Sequence, residues 1–400
     1  MDRLILPRAA WRDRPGLARV IAALEPGTTR IVGGAVRDTL IGIDTADIDL
    51  ATVHDPYRVI DLLDAARIKP VPTGLRHGTI TAIANGEVYE VTTLRRDVAT
   101  DGRHATVAFT DDWREDAARR DFTINALYAD PAGGALFDYF GGFDDLMARR
   151  VRFIGDPLTR IAEDHLRILR FFRFLARFGD EPDAAGLAAC AARANDLMAL
   201  SRERIAGELL RLLVAPGAAA IVALMLDHAI LAPVLPEITR PGRLRRTIDR
   251  EAASGQAPSA TLRLAALLPA GAVDAIGARL KLSNADRKRM AIAVAAPRDD
   301  PRTLRYRLGR QGAIDQLLLS DLPDDEVTDR IAAIVDWEPP ILPISGGMLV
   351  ERGLARGPDV ARTLHRIEDR WIAEGFPDTA RAHAIAADEI AQALAAIRKS

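Results

Sequence analysis

What this sequence has little of is as informative as what it holds. Cysteine occurs once, at Cys190, so no internal disulfide forms and a metal site built from clustered cysteines is excluded. Long apolar runs are missing: 48% of the residues are hydrophobic, yet no stretch approaches the ~18 residues that a membrane-spanning helix requires. Lysine is confined to Lys69, Lys281, Lys288 and Lys399, which makes fifty of the 54 basic residues arginine. Genomic base composition explains the preference but not where the arginines gather. Excess charge of either sign is also absent. A net charge of −2 argues against a uniformly basic nucleic-acid binder and leaves local patches for that purpose. The opening MDRLILPRAAWRDRPG has no apolar core followed by a cleavage site, so a soluble, cytoplasmic protein is expected.

Four hundred residues exceed what one core organises, and two to four domains are expected. Residues 30–32, 48–51, 79–83, 88–92 and 106–109 read as strands, rich in β-branched and alternating apolar residues. Residues 36–41 and 56–66 read as helices. From residue 157 onward the pattern is continuously helical, with Pro and Gly punctuation at 179–182, 216–217, 241–242, 297–301 and 339–347. The expected architecture is an α+β head with a small mixed sheet backed by helices over 1–147. An all-α remainder follows, with a neck over 148–215 and a body and tail over 216–400.

Chemistry concentrates first in IVGGAVRDTLIGIDTADIDLAT, residues 31–52. Gly33 and Gly34 follow a strand and open a helical run. Glycine lets backbone N–H groups approach an anion without a Cβ in the way, and a helix N-terminus adds positive potential. Arg37, one turn in, can clamp the same anion. A plain structural turn accounts for the glycines equally well when they are taken alone. Asp47 and Asp49 alter that balance. Residues two apart on a strand share a face, and two carboxylates there repel unless cations lie between them. Mg²⁺ is such a hard ion, and it completes its shell with substrate phosphates; a two-metal site then serves phosphoryl transfer. Glu90, between apolar residues of a later strand, is the candidate third acid.

Two further motifs lie downstream. ARRDFTINALYAD, residues 118–130, sets Arg119, Arg120, Asp121 and Asn125 around Phe122 and Ile124. Arginine can hold a triphosphate, while Asp and Asn can bond ribose hydroxyls; a salt-bridged helix start explains the same spacing. In IAEDHLRILRFFRFLARFG, residues 161–179, helical periodicity places Asp164, Arg167, Arg170 and Arg173 along one drifting stripe, with the leucines and phenylalanines buried behind it.

GGAVRD…DIDLAT, RRDFTINAL and EDHLRILR, in this order, resemble the class II CCA-adding enzymes (tRNA nucleotidyltransferases) and their relatives the bacterial poly(A) polymerases, within the DNA polymerase beta superfamily. The likeness runs over residues 30–210, including SRERIAGELL at 201–210, and returns loosely at 342–358. It implies that Gly33, Gly34, Arg37 and Asp38 form a phosphate-binding signature and that Asp47 and Asp49 are the catalytic metal ligands; with the residue reading above, the expected site holds Mg²⁺, two ions in all, on Asp47 and Asp49 with Glu90 as the candidate further ligand. It implies that Arg120, Asp121 and Asn125 contact ribose and triphosphate. Asp164 and Arg167 would read the base, with Arg170 and Arg173 helping to hold the nucleotide. The head would be catalytic, the neck would recognise the base, and the body and tail would bind tRNA. CTP and ATP would be the substrates and the tRNA 3′ end the acceptor, with no membrane and no protein partner implied.

A protein can choose bases in this way because arginine only donates and ionised aspartate only accepts. Cytosine and adenine each offer a ring acceptor and an exocyclic amino donor. Guanine and uracil present N–H where the arginine points, and unpaired buried donors cost about 1–3 kcal/mol each. The polar segment 94–113 matches the family's loop that helps the change from C to A, although Ala105 follows Arg103 and His104 where relatives often carry proline. PTGLRHGTITAI at 72–83 lacks the arginine-rich segment usual in poly(A) polymerases. Poly(A) addition, or addition of only CC or only A, are the alternatives. Arginine clusters at 240–250 and 302–310 and the glycine-bearing segment 346–357 are the candidate tRNA surfaces, each also explicable as a solvated helix face.

Overall fold

A computed structural model of the chain describes residues 4–45, 47–100, 105–239, 241–297 and 299–397. The tip of the polar segment, with Arg103 and His104, lies outside them. Two compact units result: residues 1–248 with 258–288, and residues 249–257 with 289–400.

The first unit begins with the expected mixed sheet. Its strands are β1 (Thr29–Val32), β2 (Asp49–Thr52), β3 (Lys69–Gly74), β4 (Thr79–Ala84) and β5 (Glu87–Thr93). A separate two-stranded ribbon follows, of β6 (Arg95–Thr100) and β7 (Ala105–Phe109), and then β8 (Leu127–Ala129) and β9 (Leu136–Asp138) complete the sheet. The order across the sheet is β3-β4-β5-β2-β1-β8-β9. Only β2 and β5 run parallel; the other neighbours are antiparallel. Residues 69–74 were not expected as a strand because Pro70 and Pro72 each lack an N–H. They are tolerated because β3 lies at the sheet edge, where one row of N–H groups needs no partner.

Register does the positioning. Val32, the last residue of β1, pairs with Asp49, the first of β2, and with Tyr128 of β8 on its other side. The glycine turn that follows Val32 is thereby set beside the acidic strand end and the RRDFTINAL segment. In the parallel pair, Asp49 lies opposite Glu90, which puts both side chains on one face. Asp47 lies two residues ahead of the first residue of β2, so of the two acids only Asp49 is held by the strand ladder.

The expected helix over 161–179 is also corrected. Helix Pro157–Glu163 ends at Asp164, whose φ of −152° and ψ of 108° are extended. A new helix runs from Arg167 to Phe178. Apolar spacing continues across the break, which hides it from periodicity. The second helix buries Phe171, Phe172, Phe174 and Phe178. Phe171 stacks on Phe153 at 5.5 Å, and Phe174 meets Phe122 at 5.3 Å. Aromatics are only 5% of the chain, so this cluster spends a large share of them where the neck meets the sheet. Each buried phenylalanine contributes about 1.5–3 kcal/mol by leaving water.

The second unit is helical, with a core around Leu349, Ile367, Trp371 and Ile385. Arg250, expected on an RNA-facing surface, is instead 2% exposed and donates to the carbonyls of Leu318, Ser320 and Leu322 and to Asp324. It satisfies carbonyls at and just beyond the C-terminal end of one helix and pairs with the Asp324 carboxylate at the start of the next. Among the described residues, no single helix is long and apolar enough to cross a membrane.

Candidate active site

Ten of the expected site residues line one cavity of about 550 Å³ within the first unit: Gly33, Gly34, Arg37, Asp49, Arg120, Asp121, Asn125, Asp164, Arg167 and Arg170. Its floor is the glycine turn. Gly33 has φ +70° and ψ −120°, a conformation that a side chain would strain. The Gly33 N–H already donates to the Leu127 carbonyl at 3.1 Å, so this glycine contributes backbone shape rather than an anion contact. Gly34 starts helix Gly34–Leu40, and a Cβ there would come only within 3.8 Å of Arg37 Nη2. Its surface is open toward the arginine.

Arg37 is 8% exposed. Burial pulls its guanidinium below the usual arginine range, with Asp38 opposing. Arg37 Nε and Nη2 meet Asp38 Oδ1 at 2.8 and 2.7 Å, and Nη1 donates to Asn125 Oδ1 at 2.5 Å. The guanidinium also lies over Phe178 at 4.1 Å. Asp38 therefore stands behind Arg37 and does not face the cavity.

The acidic end has the opposite character. Asp49 is open to solvent on one side, but partial desolvation raises its carboxyl, with Glu90 and then Asp47 adding to the rise and Arg120 opposing it. Like charges are gathered here, with Arg120 as the opposing cation. Among the described residues, no three His, Cys, Asp or Glu side chains are grouped closely enough to hold a metal ion unaided. An ion that takes most of its oxygens from substrate and water needs only one or two carboxylates from protein, and the surplus negative charge at Asp49 suits that use.

RRDFTINAL forms a wall of satisfied charges, folded as a 3₁₀ turn (Thr123–Asn125) and strand β8 rather than as a helix start. Burial would lower Arg120, but Tyr128 and Asp116 override it and the net shift is upward. Burial would raise Asp116, yet Arg120 and Arg119 bring it down to about 2. Burial would likewise raise Asp121, and Arg170 reverses this. Arg170 reaches Asp121 Oδ2 through Nε at 2.7 Å and Nη2 at 2.5 Å, while Asn125 Nδ2 donates to Oδ1 at 3.0 Å.

The break between the two neck helices supplies the far wall. Arg160 holds it to the head by donating to the carbonyls of Arg119 and Arg120. Arg167 donates to Glu163 and, at 2.7 Å, to the Arg160 carbonyl. Asp164 accepts from Arg204. Arg173 turns away from the cavity to Glu208 at 2.6 Å, so it braces the neck helix. Asp47 and Glu90 are not among the lining residues either; they act on Asp49 from beside it.

Sequence reasoning did not select Arg95, Leu166, Phe174 or Arg204, all of which line the cavity. Arg204 lies in SRERIAGELL, a segment singled out as a whole, and its partner Asp164 is 40 positions away, so local spacing carried no signal for it.

Residues 29–152 match the family described as poly A polymerase head domain, and residues 182–240 match the one described as probable RNA and SrmB-binding site of polymerase A. The human protein named "CCA tRNA nucleotidyltransferase 1, mitochondrial" is 33% identical over 87% of this chain and 83% of its own. A CCA-adding enzyme of Lacticaseibacillus paracasei is 29% identical over 87% of this chain and 88% of its own. The crystal structure of the Bacillus stearothermophilus CCA-adding enzyme in complex with CTP superposes with a TM-score of 0.69, covering 96% of this chain and 98% of that one at 24% identity. That likeness shows the fold.

Proposed function

Because this chain belongs to the family of CCA tRNA nucleotidyltransferases, we propose that it adds C, C and A in turn to the 3′ end of tRNA, drawing on CTP and ATP. One observation carries the reading. The acidic strand end and the Asp164–Arg167 break, 115 positions apart in sequence from Asp49 to Asp164, line a single cavity with the glycine turn between them.

Asp47 and Asp49, with Glu90 beside them, would hold two Mg²⁺ ions, which when bound neutralise charge on the leaving pyrophosphate and favour ionisation of the attacking hydroxyl. The chain's own groups do the rest. Arg37 and Arg120 would meet the triphosphate at the glycine turn. Asp121 and Asn125, each fixed by a neighbouring arginine, would meet the ribose hydroxyls. Asp164 and Arg167 would pair with the base edge, one accepting and one donating, and the fixed positions of both would make a nucleic-acid template unnecessary. The RNA 3′ oxygen then bonds to the α-phosphorus, its proton passes to solvent, and the bond to the β-phosphate oxygen breaks. Holding these groups in line supplies the orientation term of catalysis. The cytoplasm is the compartment we propose; the human relative's printed name places that protein in mitochondria.

The test is to incubate the protein with tRNA lacking its terminal CCA, all four nucleoside triphosphates and Mg²⁺, then sequence the 3′ ends. Ends completed to CCA, and none without a divalent ion, are expected. Long A runs would move the chain to poly(A) addition, and ends stopping at CC would make it a partial enzyme.

A further inference from the structure

Asp164 has no helix to hold it. It occupies an extended residue between a helix that ends at Glu163 and one that starts at Arg167, and a short side chain at such a break turns freely unless something outside grips it. The grip comes from helix Arg202–Leu213. Arg204 Nη2 donates to Asp164 Oδ1 at 3.0 Å and to Oδ2 at 2.8 Å, and the Leu166 N–H donates to Oδ1 at 3.1 Å. Of the roughly four lone-pair positions on a carboxylate, three therefore face protein donors. The position left over belongs to Oδ2.

The helix that carries Arg204 holds the neck at a second point. Glu208, one turn further along the same helix face, is 4% exposed and holds Arg173 at 2.6 Å. One stripe of this helix thus grips the neck at two points, at the break and two turns beyond it.

We propose that Arg204 is a positioning residue for base choice. By engaging Oδ1 and one side of Oδ2, it leaves Asp164 a single acceptor for the nucleotide, suited to one exocyclic amino group. Cytosine and adenine supply that donor. Uracil and guanine put a carbonyl oxygen there, opposing lone pair to lone pair. Without Arg204 the carboxylate rotates, and the distinction weakens even though Asp164 is still present. The inference rests on the reading of Asp164 as the base-facing carboxylate, and Arg204 acts through it.

Arg204→Ala, Arg204→Lys and Asp164→Ala enzymes decide the matter, assayed for kcat and KM with CTP, ATP, UTP and GTP on tRNA lacking CCA, with thermal midpoints recorded alongside. Arg204→Ala is expected to lower the CTP-over-UTP ratio of kcat/KM about ten- to a hundred-fold, the range of one charge-assisted hydrogen bond. Added guanidinium should restore part of it, and Arg204→Ala should change nothing further in an Asp164→Ala background. Should the alanine variant melt below the assay temperature, Arg204→Lys carries the test: a mobile ammonium in place of the guanidinium Nη2 that spans both carboxylate oxygens lowers the same ratio by a smaller factor. An Arg204→Ala enzyme slower with all four nucleotides but unchanged in their ratio overturns the proposal, leaving the reading of Asp164 intact if Asp164→Ala relaxes selectivity. Full selectivity in Asp164→Ala overturns both.

Discussion

The two sides of the cavity treat charge in opposite ways. On the arginine side, each charged group is answered by protein: Arg37 by Asp38, Arg120 by Asp116, Arg170 by Asp121, Arg167 by Glu163 and Arg204 by Asp164. On the strand side, Asp49 lies near Glu90 and Asp47, and burial first, then these like charges, push its carboxyl upward against Arg120. The first side is finished by folding and the second is not. Groups already paired hold their geometry and define shape, whereas a patch of unbalanced negative charge is a stored preference for a cation. On the proposed reading, a nucleoside triphosphate with its metal would meet both requirements at once, the arginine side taking base, ribose and phosphate oxygens and the acidic side taking the metal.

Breaking the unfinished side should have the largest effect. Asp49→Ala should slow nucleotide addition by roughly a thousand-fold or more, since metal-assisted charge stabilisation supplies several kcal/mol of transition-state binding. Binding of tRNA lacking CCA, followed by filter retention, should change less than about two-fold if the phosphate contacts that hold RNA lie elsewhere. Wild-type turnover in this variant would remove Asp49 from the chemistry. Breaking the finished side should act on folding instead. Arg170→Ala leaves the Asp121 carboxylate, 8% exposed, without its ion pair, and about 3 kcal/mol of stability should be lost in urea titrations.

The smallest effect separates the two sides by sign. Asp116 is depressed to about 2, so its contribution, roughly 2 kcal/mol, is fully present above pH ~4 and disappears as pH falls through about 2. Asp49 is raised, so the folded chain keeps a proton that the unfolded chain gives up near pH ~4, and stability drops as pH climbs through that window. Asp116→Asn should flatten the acid limb of a stability-against-pH curve, and Asp49→Asn should remove the decline above it. Glu90→Gln should bring the Asp49 carboxyl resonance, followed by NMR without metal, back toward the ordinary aspartate range.

Much of this was legible in advance, for identifiable reasons. β1, β2, β4 and β5 are short runs rich in apolar and β-branched residues, with burial that alternates clearly only in β5, and their assignments held to within a residue at each end. The clustering of Gly33, Asp49, Asp121 and Arg167 followed from motifs whose residue types have few other uses together. What stayed hidden was geometry that one-dimensional spacing does not carry. The break at Asp164 sits inside uninterrupted apolar periodicity. Arg204 looks like any arginine on an amphipathic helix until its carboxylate is seen. Arg250 falls in a cationic run that reads as surface, yet helix-end carbonyls draw it inward. Strands β8 and β9 span only Leu127–Ala129 and Leu136–Asp138, too short for alternation to register.

The margins of the sheet have a consequence of their own. An open row of backbone donors and acceptors recruits strands from other molecules. At one margin Lys69, Pro70 and Pro72 place a charge and two missing N–H groups along the outermost strand. At the other, residues 4–6 cover the rim, with the Leu6 N–H donating to Gly134 and the Leu4 carbonyl accepting from Leu136. Both rims thus carry features that disfavour pairing with strands of other molecules.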